Sequence, residues 1–182
     1  MPYTSFLNKD AYPRGLRNNN PANLVITSIA WQGKIPVSQN TDGKFEQFTE
    51  LRYGLRAMMR NIISKVNSGT NTVSKLISVL SPAFENNTAA YITMVANAIG
   101  ISPNIQIDLS QETLISLCKI IAVAENGQLY ADLITDKDYN DAIAILGITL
   151  KKKSNSKGLI ILLAIVLAVI IAYKLYNKHK SR

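Results

Sequence analysis

The segment from Gly158 to Tyr173 contains no charged residue, and between those two ends it is built only from Leu, Ile, Val and Ala. A run of that kind is either buried outright or placed in lipid. At ~1.5 Å per residue it makes a helix of roughly 24 Å, against a hydrocarbon core of about 30 Å. Lys174 can snorkel, so the run predicts one C-terminal transmembrane helix over residues 158–176. Its flanks are too basic for a protein core: Lys151, Lys152, Lys153 and Lys157 precede it, and Lys178, Lys180 and Arg182 follow. Such charges suit phospholipid head groups on either side and leave the orientation open. The expected organisation is a soluble head over 1–150, a basic linker over 151–157, the membrane span, and a basic tail over 177–182.

Charge divides along the same line. Residues 1–150 carry 12 Lys and Arg against 12 Asp and Glu, whereas residues 151–182 carry 8 basic residues and no acid. The head therefore has no basic excess to match phosphates, which argues against nucleic acid as a partner. A single Cys, Cys118, excludes an intrachain disulfide. With a single His, His179 in the tail, it also excludes a Cys/His zinc site and any His-dependent nucleophile in the head. No cofactor is expected, and chemistry in the head falls to carboxylates, amides, hydroxyls or Lys and Arg. The N-terminus lacks the basic start and apolar core of a secretory signal.

Within the head, residues 1–22 read as irregular chain rich in turn formers. The apolar pieces at 24–26, 29–31 and 44–48 predict two or three short strands, the last pair turning at Asp42-Gly43. From Leu51 the period becomes helical. One helix runs to Gly69 and a second from a cap at Thr70 or Asn71 to Pro82. A third starts at Asn86 or Asn87 and runs to Gly100. A fourth runs from the Ser110 cap to Glu125-Asn126-Gly127, and a fifth from Thr135 with Asp138 to Gly147. The expected fold class is α+β, mainly helical, with a small β element near the N-terminus.

The densest polar cluster is Arg14-Gly-Leu-Arg-Asn-Asn-Asn-Pro-Ala-Asn23. Its amides, Asn18, Asn20 and Asn23 among them, suit the N-acetyl and hydroxyl groups of a sugar chain. They equally suit a loop that hydrogen-bonds its own backbone. This opening resembles a family of phage-encoded, virion-associated peptidoglycan-degrading modules of the lysozyme or lytic-transglycosylase type. The resemblance continues through Trp31-Gln-Gly33, Phe45 and Phe48, Tyr53-Gly-Leu-Arg-Ala57, Pro82 to Ile92, Asp108-Leu-Ser110 and Ala124-Glu-Asn-Gly127. It covers roughly 14–130. It implies a lysozyme-like head and a virion protein that opens the cell wall during genome entry, with peptidoglycan, a virion-internal or host lipid membrane and other virion proteins as partners. The alternative is a virion structural or cell-wall-binding protein that keeps the fold without activity. The chain departs from the family pattern at Ala22, where Gly is usual, at Leu80-Ser81, where a Trp is usual before Pro82, and at Ala124, where His is common.

Glycosidic cleavage needs one protonated acid at the leaving oxygen. A hydrolase adds a second carboxylate, whereas the transglycosylase class, as the resemblance implies, uses one Glu as acid and then base. Glu46 falls in an expected exposed strand, and Glu50 and Glu112 are ordinary charges at helix starts. Glu125 follows an apolar run at a helix C-terminus, where dipole and burial favour the protonated form. Glu85 precedes a helix and should stay ionised. Glu125 as acid with Glu85 as charged partner is the first choice for the catalytic pair, with the reversed roles, or Glu50 as catalyst, left open. Arg17 and Arg56 are candidates for holding carboxylates, and Trp31 and Tyr91 for stacking on sugar faces or simply filling the core. The matched motifs add Asn87 and Asn126 as substrate-binding candidates.

Overall fold

The structure, a computed structural model, describes residues 2–80 and 88–151. Residues up to Lys151 form one unit. Its helices are α1 (Arg14–Arg17), α2 (Leu51–Asn67), α3 (Val73–Leu80), α4 (Thr88–Ile99), α5 (Gln111–Asn126), α6 (Gln128–Ala131) and α7 (Asp136–Ala144), with a 3-10 turn at Val37–Gln39.

Helix α2 is the centre. Leu51, Leu55, Met58, Met59, Ile62, Ile63 and Val66 recur three or four residues apart and are all buried. The helix packs on α3, α5 and α7, and α4 packs on α3 and α5. Helix ends follow local chemistry. Thr72, one residue beyond the expected cap, accepts the Lys75 N–H through its hydroxyl at 3.3 Å. The Ser110 side chain accepts from Thr113 N–H and caps α5, and Thr135 and Asp138 form a reciprocal capping box on α7. Lys151 belongs to this unit: its carbonyl accepts the Gln111 N–H at 2.9 Å.

Two expectations of fold class are corrected. The described residues contain no β-strand, so the small β element is absent and the unit is helical with a long irregular N-terminal segment. Only isolated antiparallel bridges remain there, Val25 with Phe45 and Lys34 with Phe48. Side chains share the pairing with the backbone here. The Glu46 carbonyl accepts from Asn20 Nδ2 at 2.9 Å, the Phe48 carbonyl from Asn19 Nδ2 at 2.9 Å and the Phe45 carbonyl from Asn40 Nδ2 at 2.9 Å. The Phe48 N–H donates to the Asn18 carbonyl at 3.0 Å. Backbone bonds such as Glu46 N–H to the Leu24 carbonyl and Ile35 N–H to the Gln47 carbonyl thus alternate with carbonyls held by amide side chains, and the pairing stays at single bridges. The expected turn at Asp42-Gly43 is present, built by the Asn40 carboxamide, which accepts from the N–H groups of both residues. The second correction concerns the membrane span. No described helix is long and apolar enough to cross a membrane, and residues 158–176, where the span was expected, lie outside the described residues.

Asn19 is wholly buried, with its carboxamide between Phe6 N–H at 2.8 Å, the Ser5 hydroxyl at 2.8 Å and the Phe48 carbonyl. Its own carbonyl lies where a Cβ on Gly54 would sit, 1.7 Å away, so α2 closes on this turn only because residue 54 is Gly. Asn19→Ala leaves two buried backbone groups without partners, at a cost of about 1–3 kcal/mol each. The expected outcome is a loss of about 3 kcal/mol in chemical denaturation.

Candidate functional site

Helix α5 delivers Glu125 and Asn126 at its last turn, and Gly127 at φ 80° ends it. The two side chains part. Asn126 is buried, and its Nδ2 donates to the Pro21 carbonyl at 2.8 Å and the Ala122 carbonyl at 3.0 Å. Gly15 makes this possible, because a Cβ there would stand 2.2 Å from the Asn126 Oδ1. Two residues beyond Pro21, Asn23 adopts the left-handed backbone region at φ 48° and donates from Nδ2 to the Glu125 Oε2 at 2.9 Å. Its Oδ1 is buried without a hydrogen-bond partner. A non-Gly residue held at positive φ beside an unsatisfied polar atom marks a place where geometry overrides local comfort. The expected Asn23, Glu125 and Asn126 thus form one clasp across 102 positions of sequence.

Glu125 is half-buried and lines an open groove with Ala90, Tyr91 and Met94 of α4 and with Ala124. Burial, and then the charge on Glu125, push the Tyr91 phenol well above the usual tyrosine range, so it stays a neutral ring and hydroxyl at any physiological pH. A further surface groove near Asn67 and Ile148 is lined by none of the expected site residues.

The remaining expected residues are placed elsewhere. Asn18 and Asn20 are buried, and Asn20 is wholly occupied by the Leu24 and Glu46 backbone, so these two amides hold the fold. Arg56 donates from Nε to the Ile145 carbonyl at 2.7 Å and braces α2 to the end of α7, and burial lowers its guanidinium from the usual arginine range. Trp31 is half-buried in a loop closed by Lys34, whose ammonium donates to the Thr27 carbonyl at 2.7 Å and to Glu46 at 2.8 Å. Glu85 and Asn87 lie outside the described residues. Glu46, expected on an exposed strand, is instead fully buried, and its Oε2 has no partner. Among the described residues, no three His, Cys, Asp or Glu side chains gather as metal ligands.

Arg17 and Asn18 line a second, polar pocket whose organiser, Asp42, sequence reasoning missed. Arg14 grips the Asp42 carboxylate with two hydrogen bonds of 2.7 and 2.8 Å, Asn18 Nδ2 adds one of 2.8 Å, and the N–H groups of Lys44 and Phe45 add two more. The Arg14 ring contact with Phe45, 4.5 Å to the centroid, fixes the guanidinium. The signal available in the sequence was the Thr-Asp-Gly turn, read only as a turn.

No family model matches the chain. A helical domain with an Asn-rich segment clasped to a groove-lining glutamate is what the fold and site define. Over 118 residues the chain is 35% identical to Protein P5 of Pseudoalteromonas phage PM2, a stretch that takes in 63% of this chain and 71% of that protein. The chain belongs to the family of that Protein P5 and is a phage protein.

The Asp42 carboxyl is held well below the usual carboxylate range, first by the Arg14 hydrogen bonds. A depressed native value means that this contribution to stability is complete above the unfolded value, about 3.9. It falls away as pH drops from there toward the native value. Asp42→Asn is expected to lose about 2 kcal/mol at neutral pH and to flatten the acid limb of stability between about pH 4 and pH 2, as read by urea melts across that range.

Proposed function

We propose that this phage protein cleaves the glycan strands of peptidoglycan, as a lytic transglycosylase or a muramidase, with Glu125 as the general acid. The observation that carries the reading is the Asn23–Glu125 hydrogen bond, which fixes one carboxylate at the edge of an open groove beside the Tyr91 ring. Sugar cleavage asks for that combination: an aromatic or apolar wall for the pyranose, and a carboxyl whose orientation is set before substrate arrives. In this role Glu125 must both give a proton and take one back.

In the reaction Glu125 gives its proton to the glycosidic oxygen as the C1–O bond breaks. Glu125, now the carboxylate, then takes a proton from the group that attacks C1. That group is the muramyl 6-hydroxyl in a transglycosylase and water in a hydrolase. Glu85 is the proposed charged partner, and Asn87 a proposed substrate-binding residue. In this reading the protein is a virion component. Its second proposed partner is a lipid membrane, virion-internal or host. Other virion proteins are further partners.

One observation favours a non-catalytic reading. The Asn-rich motif that carries much of the resemblance is largely taken up by the backbone, so its residues are explained by folding alone. A virion structural or wall-binding protein would keep it for that reason. The experiment is turbidity loss of peptidoglycan by the full chain and by Glu125→Gln. The expected outcome is a fall of about 10²–10⁴ in rate, with stability changed by less than about 1 kcal/mol. Product analysis then finds anhydro-muramyl ends for a transglycosylase and reducing ends for a hydrolase. A folded Glu125→Gln protein with full activity removes Glu125 from the mechanism, and a wild-type protein that binds peptidoglycan without cutting it establishes the structural reading.

A further inference from the structure

Helix α1 has two working sides. Gly15 meets α5, while Arg14 and Arg17 turn to the polar pocket, an open cavity of about 450 Å³. Most of the wall of this pocket is already satisfied from within. Asp42 accepts from Arg14, Asn18 and two backbone N–H groups. Gln47 donates to the Asn18 Oδ1 and the Thr41 hydroxyl, both at 2.9 Å, and accepts the Thr41 N–H at 2.8 Å. A wall so interlocked is rigid and offers few free donors to a neutral sugar.

Two lining side chains stand outside the network. Arg17 and Asp10 share the pocket, yet among the described residues neither guanidinium nor carboxylate makes an ion pair or a hydrogen bond, with each other or with anything else. A plain anion such as phosphate is a poor match, because Asp10 faces the same space and Arg14 is already neutralised by Asp42. The free chemistry is one cation and one anion held apart over a rigid floor. We propose that this pocket binds a zwitterion, a free amino acid or the two ends of a short peptide, with its carboxylate on Arg17 and its ammonium on Asp10. This site is separate from the Glu125 groove and does not rest on the glycan-cleaving reading.

Titration calorimetry of the full-length protein with alanyl-alanine, N-acetyl-alanyl-alanine and alanyl-alanine amide tests it. The free dipeptide is expected to bind with a dissociation constant on the order of 1 mM, and capping either end is expected to weaken it about tenfold. Arg17→Ala should abolish the penalty for amidation and leave that for acetylation, and Asp10→Asn should do the reverse. Neither change touches a hydrogen bond of the fold, so melting temperatures should match wild type. Should Arg17→Ala nevertheless unfold, the three-ligand comparison on the wild type with Asp10→Asn still decides. The proposal is overturned if the acetylated dipeptide binds as tightly as the free one, which makes this an anion site, or if none of the three binds.

Discussion

The hydrogen-bond debt of residues 44–49 organises this protein. A buried extended segment must find a partner for every N–H and C=O. Most domains use a neighbouring strand. Here the backbone of residues 24–26 and 33–35 meets some of these groups, and the carboxamides of Asn19 and Asn20, with the Asn18 carbonyl, take others. Each amide is bifunctional, so Asn20 takes the Leu24 N–H while giving to two carbonyls, and Asn19 ties Phe6 to Phe48. The three consecutive Asn residues therefore satisfy groups that the short runs of backbone pairing leave over. Their burial follows from that role.

The same turn carries the chain to α5. Once Asn20 is fixed, Pro21 and Asn23 follow at set distances, and they meet Asn126 and Glu125 respectively. The buried Asn126 is then the structural half of the clasp and Glu125 the half that reaches the groove. Position matters more than residue type here, since adjacent residues at a helix end point about 100° apart. One goes to the core side and one to the groove.

The helical part of the fold was legible in the sequence for local reasons. Apolar spacing over Leu51–Val66, the Ser110 cap and the Thr135–Asp138 box are all contained within a few residues, and the structure realises each. The N-terminal segment was not legible in the same way. The short piece Lys44-Phe-Glu-Gln-Phe48 reads as a strand, but part of its pairing goes to side-chain amides some 25 to 30 residues earlier. At the site, the join of Asn23 to Glu125 required knowing that α5 ends against residues 21–23, which depends on the absent Cβ of Gly15. Arg56 and Asn18 were read for their charge and polarity. The structure uses both for closure, one at the end of α7 and one at Asp42.

The glutamates show how burial sorts chemistry that sequence leaves level. Glu46 is enclosed, with one oxygen held by Lys34 and the Thr27 N–H. A buried pair of that kind is costly to break from either side, so replacing Glu46 would damage the fold before it informed on activity. Glu50 is paired with Arg52 at 2.6 Å beside the start of α2, and Glu112 lies in the first turn of α5, where the helix dipole favours its charge. Glu125 instead accepts the Asn23 Nδ2–H at 2.9 Å and lines the groove with Tyr91. A donor of this kind sets the direction of a carboxyl group, and the proposed role of Glu125 rests on that placement.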